Sequence, residues 1–279
     1  MTSLIVGLNV APKLVSTAPS AVFYVAVFAY GIATIFYASA YIQCPDWMKK
    51  SAKWILVAAF VCHGIDIGLR GVEGVHPGTS VRESIGFLSW VVVGGFLIFL
   101  RGQAMAMVGA LVAPATMAML IAARLSPTGG PVTGLSSLGR IHIALATGGV
   151  AIFALATAVS IAYLVHEKNL KNKKFDGVLF KQGAALETMD QISAKLVLVG
   201  FPLFTVAMVL GVLWVTRRGV FTLKIEHVLS LIIWMLFGYL IGTRKIHGTR
   251  GRRAAWLTIS GFLFSMMVVA VYFIRRVWG

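Results

Sequence analysis

Cysteine is almost missing. The 279 residues hold two, Cys44 and Cys62, and neither sits in a CxxC or CxxCH. The chain therefore has no disulfide framework and no c-type haem attachment motif of its own. Charge is scarce at 12% of residues, and acid scarcer still, with nine Asp and Glu against 25 Lys and Arg. No Walker loop, dinucleotide fingerprint or nucleophile–base constellation occurs, so hydrolase and ATPase readings have no residues to carry them, and no catalytic residues are expected. No internal repeat or low-complexity tract stands out either.

What is present is apolar: 58% hydrophobic residues and a mean hydropathy of +0.87. A soluble domain of this composition would expose large sticky patches. The composition instead predicts an all-α polytopic integral membrane bundle, 1–279 forming one domain in a lipid bilayer. The net charge of +16 would suggest nucleic acid in a soluble protein. Here the basic residues lie between apolar spans, so orientation in the membrane accounts for them and no nucleic acid is expected.

About eight transmembrane helices emerge, each roughly the 18–25 residues that a bilayer needs. They are 21–42, 53–70, 82–100, 104–124, a long helix 139–171, 194–216, 226–243 and 254–274. The fifth organises the chain: its apolar body from Ile143 to Val165 carries no charge, and Arg140 and His142 stand at one end. Its other end runs into a Lys-rich stretch, so it is expected to project beyond the membrane. Fifteen of the 25 basic residues fall on one side of this topology and ten on the other. That bias makes the richer side cytoplasmic and puts both termini outside. Residues 1–20 make a poor signal peptide, interrupted by Pro12, and are expected as an external segment. Residues 166–194 form a cytoplasmic loop in which 184–194 reads as a short amphipathic surface helix. The segment 125–138, rich in Gly, Pro and Ser, is expected to be irregular.

Ionisable groups inside a span are expensive and are functional candidates by default. The second span carries His63, Asp66 and Arg70 at i, i+3 and i+7, on one helical face. His63 falls roughly 10 Å below Arg70, in the outer half of the bilayer. With His142 at the outer end of the fifth span, two histidines on different helices are candidates to hold one metal centre such as haem iron. Asp66 is placed to orient the His63 ring. The plainer readings stay open beside these: a histidine bonded to a neighbouring helix, an interfacial His142, and Asp66 and Arg70 neutralising each other. His76 in a Gly/Pro loop reads as solvated, and His166 and His247 as facing water or head groups. His227, after Glu226, is a weaker candidate for an external site. Trp90, Trp214, Trp234 and Trp256 read as packing or interface residues. Glu83 suits the start of the third span.

Several stretches resemble one family. His63-Gly-Ile-Asp-Ile-Gly-Leu-Arg70 with Gly74, Pro77 and Glu83-Ser84 is one. Ile141-His142-Ile143-Ala144-Leu145-Ala146, with Tyr163-Leu164 and Glu167-Lys168, is another. Leu186-Glu187-Thr188-Met189-Asp190 leads to Gly200-Phe201, Thr205, Gly211 and Trp214, and Trp234 leads to Gly251-Arg252-Arg253-Ala254-Ala255 and Gly261-Phe262. In this order and spacing they resemble the CcsA/HemX-type cytochrome c assembly proteins, which include ResC- and YpjD-like members.

The resemblance implies a multi-pass protein of the bacterial plasma membrane tied to haem delivery. CcsA-type members carry haem toward the outer face and attach it to apocytochrome c thiols. They use a tryptophan-rich external loop ending in Trp-Asp, flanked by haem-ligating histidines. His142 stands where the first such histidine is expected. The loop Arg217–Lys224 has neither Trp nor Asp, the family's histidine late in the seventh span would fall at Ile241, and its partner near the last external loop is not found before Gly279. A divergent HemX-like relative, accessory or chaperone-like, is therefore expected rather than a complete haem lyase. A b-type haem would take His63 and His142 as ligands, with Arg70 or Arg140 near its propionates, and other membrane proteins as partners. Two other readings remain: a cofactor-free structural subunit of a larger respiratory or electron-transfer complex, and a small-molecule or quinone carrier built on His63, Asp66 and Arg70.

Overall fold

In lipid every backbone N–H and C=O must find a partner within the protein, so apolar runs of this length become helices. The computed structural model describes residues 21–39, 46–73, 75–77, 80–99, 104–126, 136–172, 186–217 and 223–278. Among them are eight helices long and apolar enough to cross a membrane. They are α1 (Ala21–Ala38), α2 (Asp46–Val72), α3 (Val81–Phe99), α4 (Ala104–Leu125), α5 (Ser137–Lys171), α6 (Leu186–Thr216), α7 (Ile225–Ile246) and α8 (Arg252–Trp278). The chain is a multi-pass membrane protein. The expected 1–20 segment and residues 127–135, 173–185 and 218–222 of the connections lie outside the described residues.

The long helix is the centre. α5 packs most extensively on α6 and also meets α3, α4 and α8. On one side α1 lies against α2 and α4, and α3 against α4; on the other α7 lies against α8 and α6. Two sub-bundles thus flank α5. Its middle, from Ala151 to Ser160, is buried almost without interruption. An added Cβ at Gly149 would lie 3.2 Å from the backbone nitrogen of Phe204, so that glycine lets α5 and α6 approach backbone to backbone. Lower down, the Ser160 and Ser193 hydroxyls meet at 3.1 Å, and the rings of Phe153 and Phe237 stack at 3.8 Å.

Three expectations are corrected. The stretch Leu186–Ala194 is no separate surface helix but the first turns of α6. Its polar residues turn inward because the bundle satisfies them. Asp190 accepts two bonds from Arg244, at 2.9 and 3.0 Å, and one from the Gly251 N–H at 3.0 Å. His166 is buried, not facing water, because α5 stays helical and packed through that level. And α5 begins at Ser137 rather than Gly139, because Ser136 caps it by accepting from the Gly139 N–H at 3.3 Å.

Candidate functional site

Four candidates were read from the sequence: His63, Arg70, Arg140 and His142. All four lie toward the end of the bundle where α2, α4 and α6 finish and α3, α5 and α7 start. His63 and Arg70 share a cleft; His142 faces a different helix.

His142 lies in the second turn of α5. Its Nδ1 is 2.7 Å from the carbonyl oxygen of Ala207 on α6. A carbonyl only accepts, so Nδ1 carries the proton and Nε2 keeps its lone pair. No described residue donates a hydrogen bond to Nε2. A backbone carbonyl on one ring nitrogen is the usual means of presenting the other to a metal. The ring is held on two more sides. The Trp214 indole lies against it, with ring centroids 6.0 Å apart. A Cβ on Gly211 would come within 2.7 Å of the imidazole Cε1, and a Cβ on Gly139 within 2.8 Å of the indole. Two glycines one helix apart thus make room for two rings. Sequence reading named Gly211 and Trp214 only as part of the family resemblance, gave Gly139 no role beyond the helix start, and otherwise read Trp214 as packing. Arg140, two residues before His142, is exposed at the same helix end. Residues i and i+2 do not share a helical face. Arg140 lies toward the α2–α3 connection, where burial first and the Arg140 charge second push the His76 imidazole below its usual range.

The other feature is a cleft among α1, α2, α3 and α4, with an empty volume of about 430 Å³. His63, Asp66 and Arg70 all line it, as their shared face requires. His63 is 1% exposed, and the Tyr30 hydroxyl of α1 reaches its Nδ1 at 3.3 Å. Tyr30 was not foreseen, since nothing in the sequence links positions 30 and 63. Arg70 pairs with Asp66 at 3.3 Å, as one reading held, and also with Glu83 of α3 at 2.6 Å. The helix-start residue Glu83 therefore closes an ion-paired link between α2 and α3. Trp90 braces the same wall: its Nε1–H donates to the Phe60 carbonyl at 3.0 Å while its ring stacks on Phe60 at 4.8 Å.

No contact among the described residues joins His63 to His142. The contacts of His63 are to α1 and to the cleft of the first sub-bundle; those of His142 are to Ala207, Gly211 and Trp214 of α6, and none of these lines the cleft. One iron shared by the two imidazoles does not follow from this packing. Among the described residues no group of three or more His, Cys, Asp or Glu is placed to hold a metal ion.

Comparison with known proteins places this geometry. The family model for the cytochrome C assembly protein matches residues 79–279. Protein HemX of Bacillus subtilis is 24% identical over 246 residues, covering 85% of this chain and 89% of HemX. The cytochrome c biogenesis protein CcsA of Crocosphaera subtropica is 23% identical, covering 82% of this chain and 86% of CcsA. Among solved structures, the cytochrome c haem lyase CcmF superposes with a TM-score of 0.65 at 14% identity, a likeness of fold. It covers 99% of this chain, which spans only 51% of the lyase. With a family model matched over most of its length, the chain belongs to the cytochrome c assembly protein family.

Proposed function

We propose that this protein is a haem-handling, accessory or chaperone-like component of cytochrome c biogenesis. It sits in a bacterial plasma membrane with the His142 end facing outward, and it works beside other membrane proteins. The observation that carries the proposal is the His142 imidazole, fixed by the Ala207 carbonyl, Gly211 and Trp214 with Nε2 left as the donor atom. That donor chemistry is what a nitrogen ligand to the iron of a b-type haem would need. Haem would supply the group to be delivered, and the chain would hold and orient it. Ala207 sets the tautomer, Trp214 shields one face of the imidazole, and the exposed guanidinium of Arg140 offers a cation at the same helix end for a propionate.

His63 and Arg70 are not carried into this reading. Arg70 is already neutralised by Asp66 and Glu83, and His63 is engaged by the Tyr30 hydroxyl within the first sub-bundle. The test is an absorbance spectrum of the purified protein, oxidised and reduced. A Soret band is expected, lost or several-fold weaker in His142→Ala and kept in His63→Ala. A colourless protein that copurifies with redox subunits would replace the proposal with a cofactor-free structural role.

A further inference from the structure

The corner between α7 and α8 is built on the buried pair of Asp190 and Arg244. The same carboxylate takes the Gly251 N–H, so the backbones around Arg244 and Gly251 are drawn to one point. Five residues, His247 to Gly251, join the two helices. Gly248 and Gly251 turn the connection with φ of +63° and +66°, and the N–H groups of His247 and Thr249 both return to the Thr243 carbonyl. The corner is therefore held in one shape. Arg244 is spent inside it. The residues that follow the two tied points, Lys245 on α7 and Arg252 and Arg253 on α8, are exposed. Among the described residues no carboxylate pairs with any of these three. Arg250 beside them meets Glu187 at 3.5 Å with both side chains more than half exposed, a pair that holds little. Arg252 also heads a strip. Trp256, Leu263 and Met267 follow it on one face of α8, and each is at least half exposed. From Trp256 to Met267 the strip runs roughly 16 Å, about the depth of one leaflet of a ~30 Å hydrocarbon core.

We infer that this corner seats one anionic phospholipid, with its phosphate on Lys245, Arg252 and Arg253 and an acyl chain along Trp256, Leu263 and Met267. Orientation in the membrane asks for positive charge on one side. It does not ask for three unmatched cations on a rigid corner above an apolar strip. Guanidiniums meet phosphate oxygens with paired N–H donors. An indole suits the boundary between head groups and chains, where Trp256 stands one turn below Arg252. Basic clusters at the ends of spanning helices recur as sites for anionic lipids. A zwitterionic head group brings its own ammonium into a space already positive. Free phosphate satisfies the cations but leaves the strip without a role. Neither haem nor the His142 site enters into this seat.

The experiment is native mass spectrometry of the full chain released from detergent, titrated with phosphatidylglycerol, with phosphatidylcholine and with inorganic phosphate. One phosphatidylglycerol per chain is expected, bound about tenfold more tightly than phosphatidylcholine, and not displaced by equimolar inorganic phosphate. Lys245→Gln/Arg252→Gln/Arg253→Gln is expected to remove that preference. All three side chains are exposed, so the thermal midpoint in phosphatidylcholine is expected to stay at that of the parent, which separates a lost seat from a lost fold. Trp256 supplies a second readout in phosphatidylcholine nanodiscs doped with chain-brominated phosphatidylglycerol. The share of fluorescence quenching that Trp256→Phe removes is expected to fall several-fold in the triple variant. Lys50→Gln/Lys53→Gln, two exposed lysines of α2 at the same end of the bundle, is expected to leave the bound lipid in place. Equal retention of the two lipids, displacement by equimolar phosphate, or equal losses in the α2 and corner variants would each overturn the inference.

Discussion

Where α6 begins, one buried carboxylate closes a complete set of bonds. Asp190 takes both Nη groups of Arg244 and the Gly251 N–H, while Arg250 approaches Glu187 at 3.5 Å. Gly251 holds a φ of +66°, and the Tyr163 hydroxyl lies 2.8 Å from where its Cβ would be, so only glycine fits. Where α6 ends, the groups are arranged for someone else. His142 gives one ring nitrogen to a carbonyl and keeps the other, and Arg82 is aimed by a carbonyl rather than a carboxylate. The first arrangement ties α6, α7 and α8 into one body. The second spends its neighbours on orientation and leaves the His142 Nε2 as a donor atom, which is what a site requires and a lock does not.

The most damaging way to break this contrast is at the lock. Asp190→Ala strands a largely buried guanidinium and an N–H, and is expected to cost about 3–5 kcal/mol, seen as a lower midpoint in thermal unfolding of the detergent-solubilised protein. A midpoint equal to that of the parent would mean the lock is ornamental.

Glycines at the two ends give the next comparison. Gly211→Val forces the imidazole from its seat and is expected to cost about 1–3 kcal/mol and to weaken the Soret band several-fold. Gly251→Ala is expected to cost about 1–2 kcal/mol through its left-handed backbone, with the band unchanged. Equal spectra in both variants would erase the distinction between site and lock.

Glu83→Gln removes one of the two carboxylates on Arg70. It is expected to cost about 1 kcal/mol, seen as a smaller drop in the thermal midpoint than Asp190→Ala gives. An unchanged midpoint would mean that the Arg70–Glu83 pair does not hold α2 to α3.

The smallest effect concerns His76. Its imidazole titrates below the usual value because it is partly buried and sits near Arg140. The unfolded chain therefore binds this proton more readily than the folded one. Stability falls as pH drops through the unfolded value toward the folded one, and above that window His76 contributes nothing. Arg140→Gln is expected to raise the His76 midpoint, read by NMR of ring-labelled histidine.

The eight spans were legible because lipid leaves an apolar run of this length little choice but to form a helix. The shared face of His63, Asp66 and Arg70 was legible for the same local reason, helical period. His142 was legible as a candidate from its place at the head of a charge-free helix. The errors came where partners are distant in sequence. Leu186–Ala194 looked like a surface helix because Glu187 and Asp190 seem too polar to enter a bundle. Arg244 and Gly251, some 54 and 61 residues away, make Asp190 acceptable there. Arg70 looked available for a propionate because Glu83 belongs to the next helix.

The sequence by itself determined the membrane, the number of crossings, the order of the family's motifs and the residues able to carry chemistry, since each follows from composition and short-range period. Tertiary structure alone decided which of those residues meet. It set His63 against Tyr30 on α1 and His142 against Ala207 on α6, and it closed Asp190 on Arg244 while turning Arg82 to the Ser126 carbonyl. The reason is that helical period fixes the face a residue occupies, while its neighbour is chosen by small side chains such as Gly149, Gly139 and Gly211 that set how closely two helices approach and in what register.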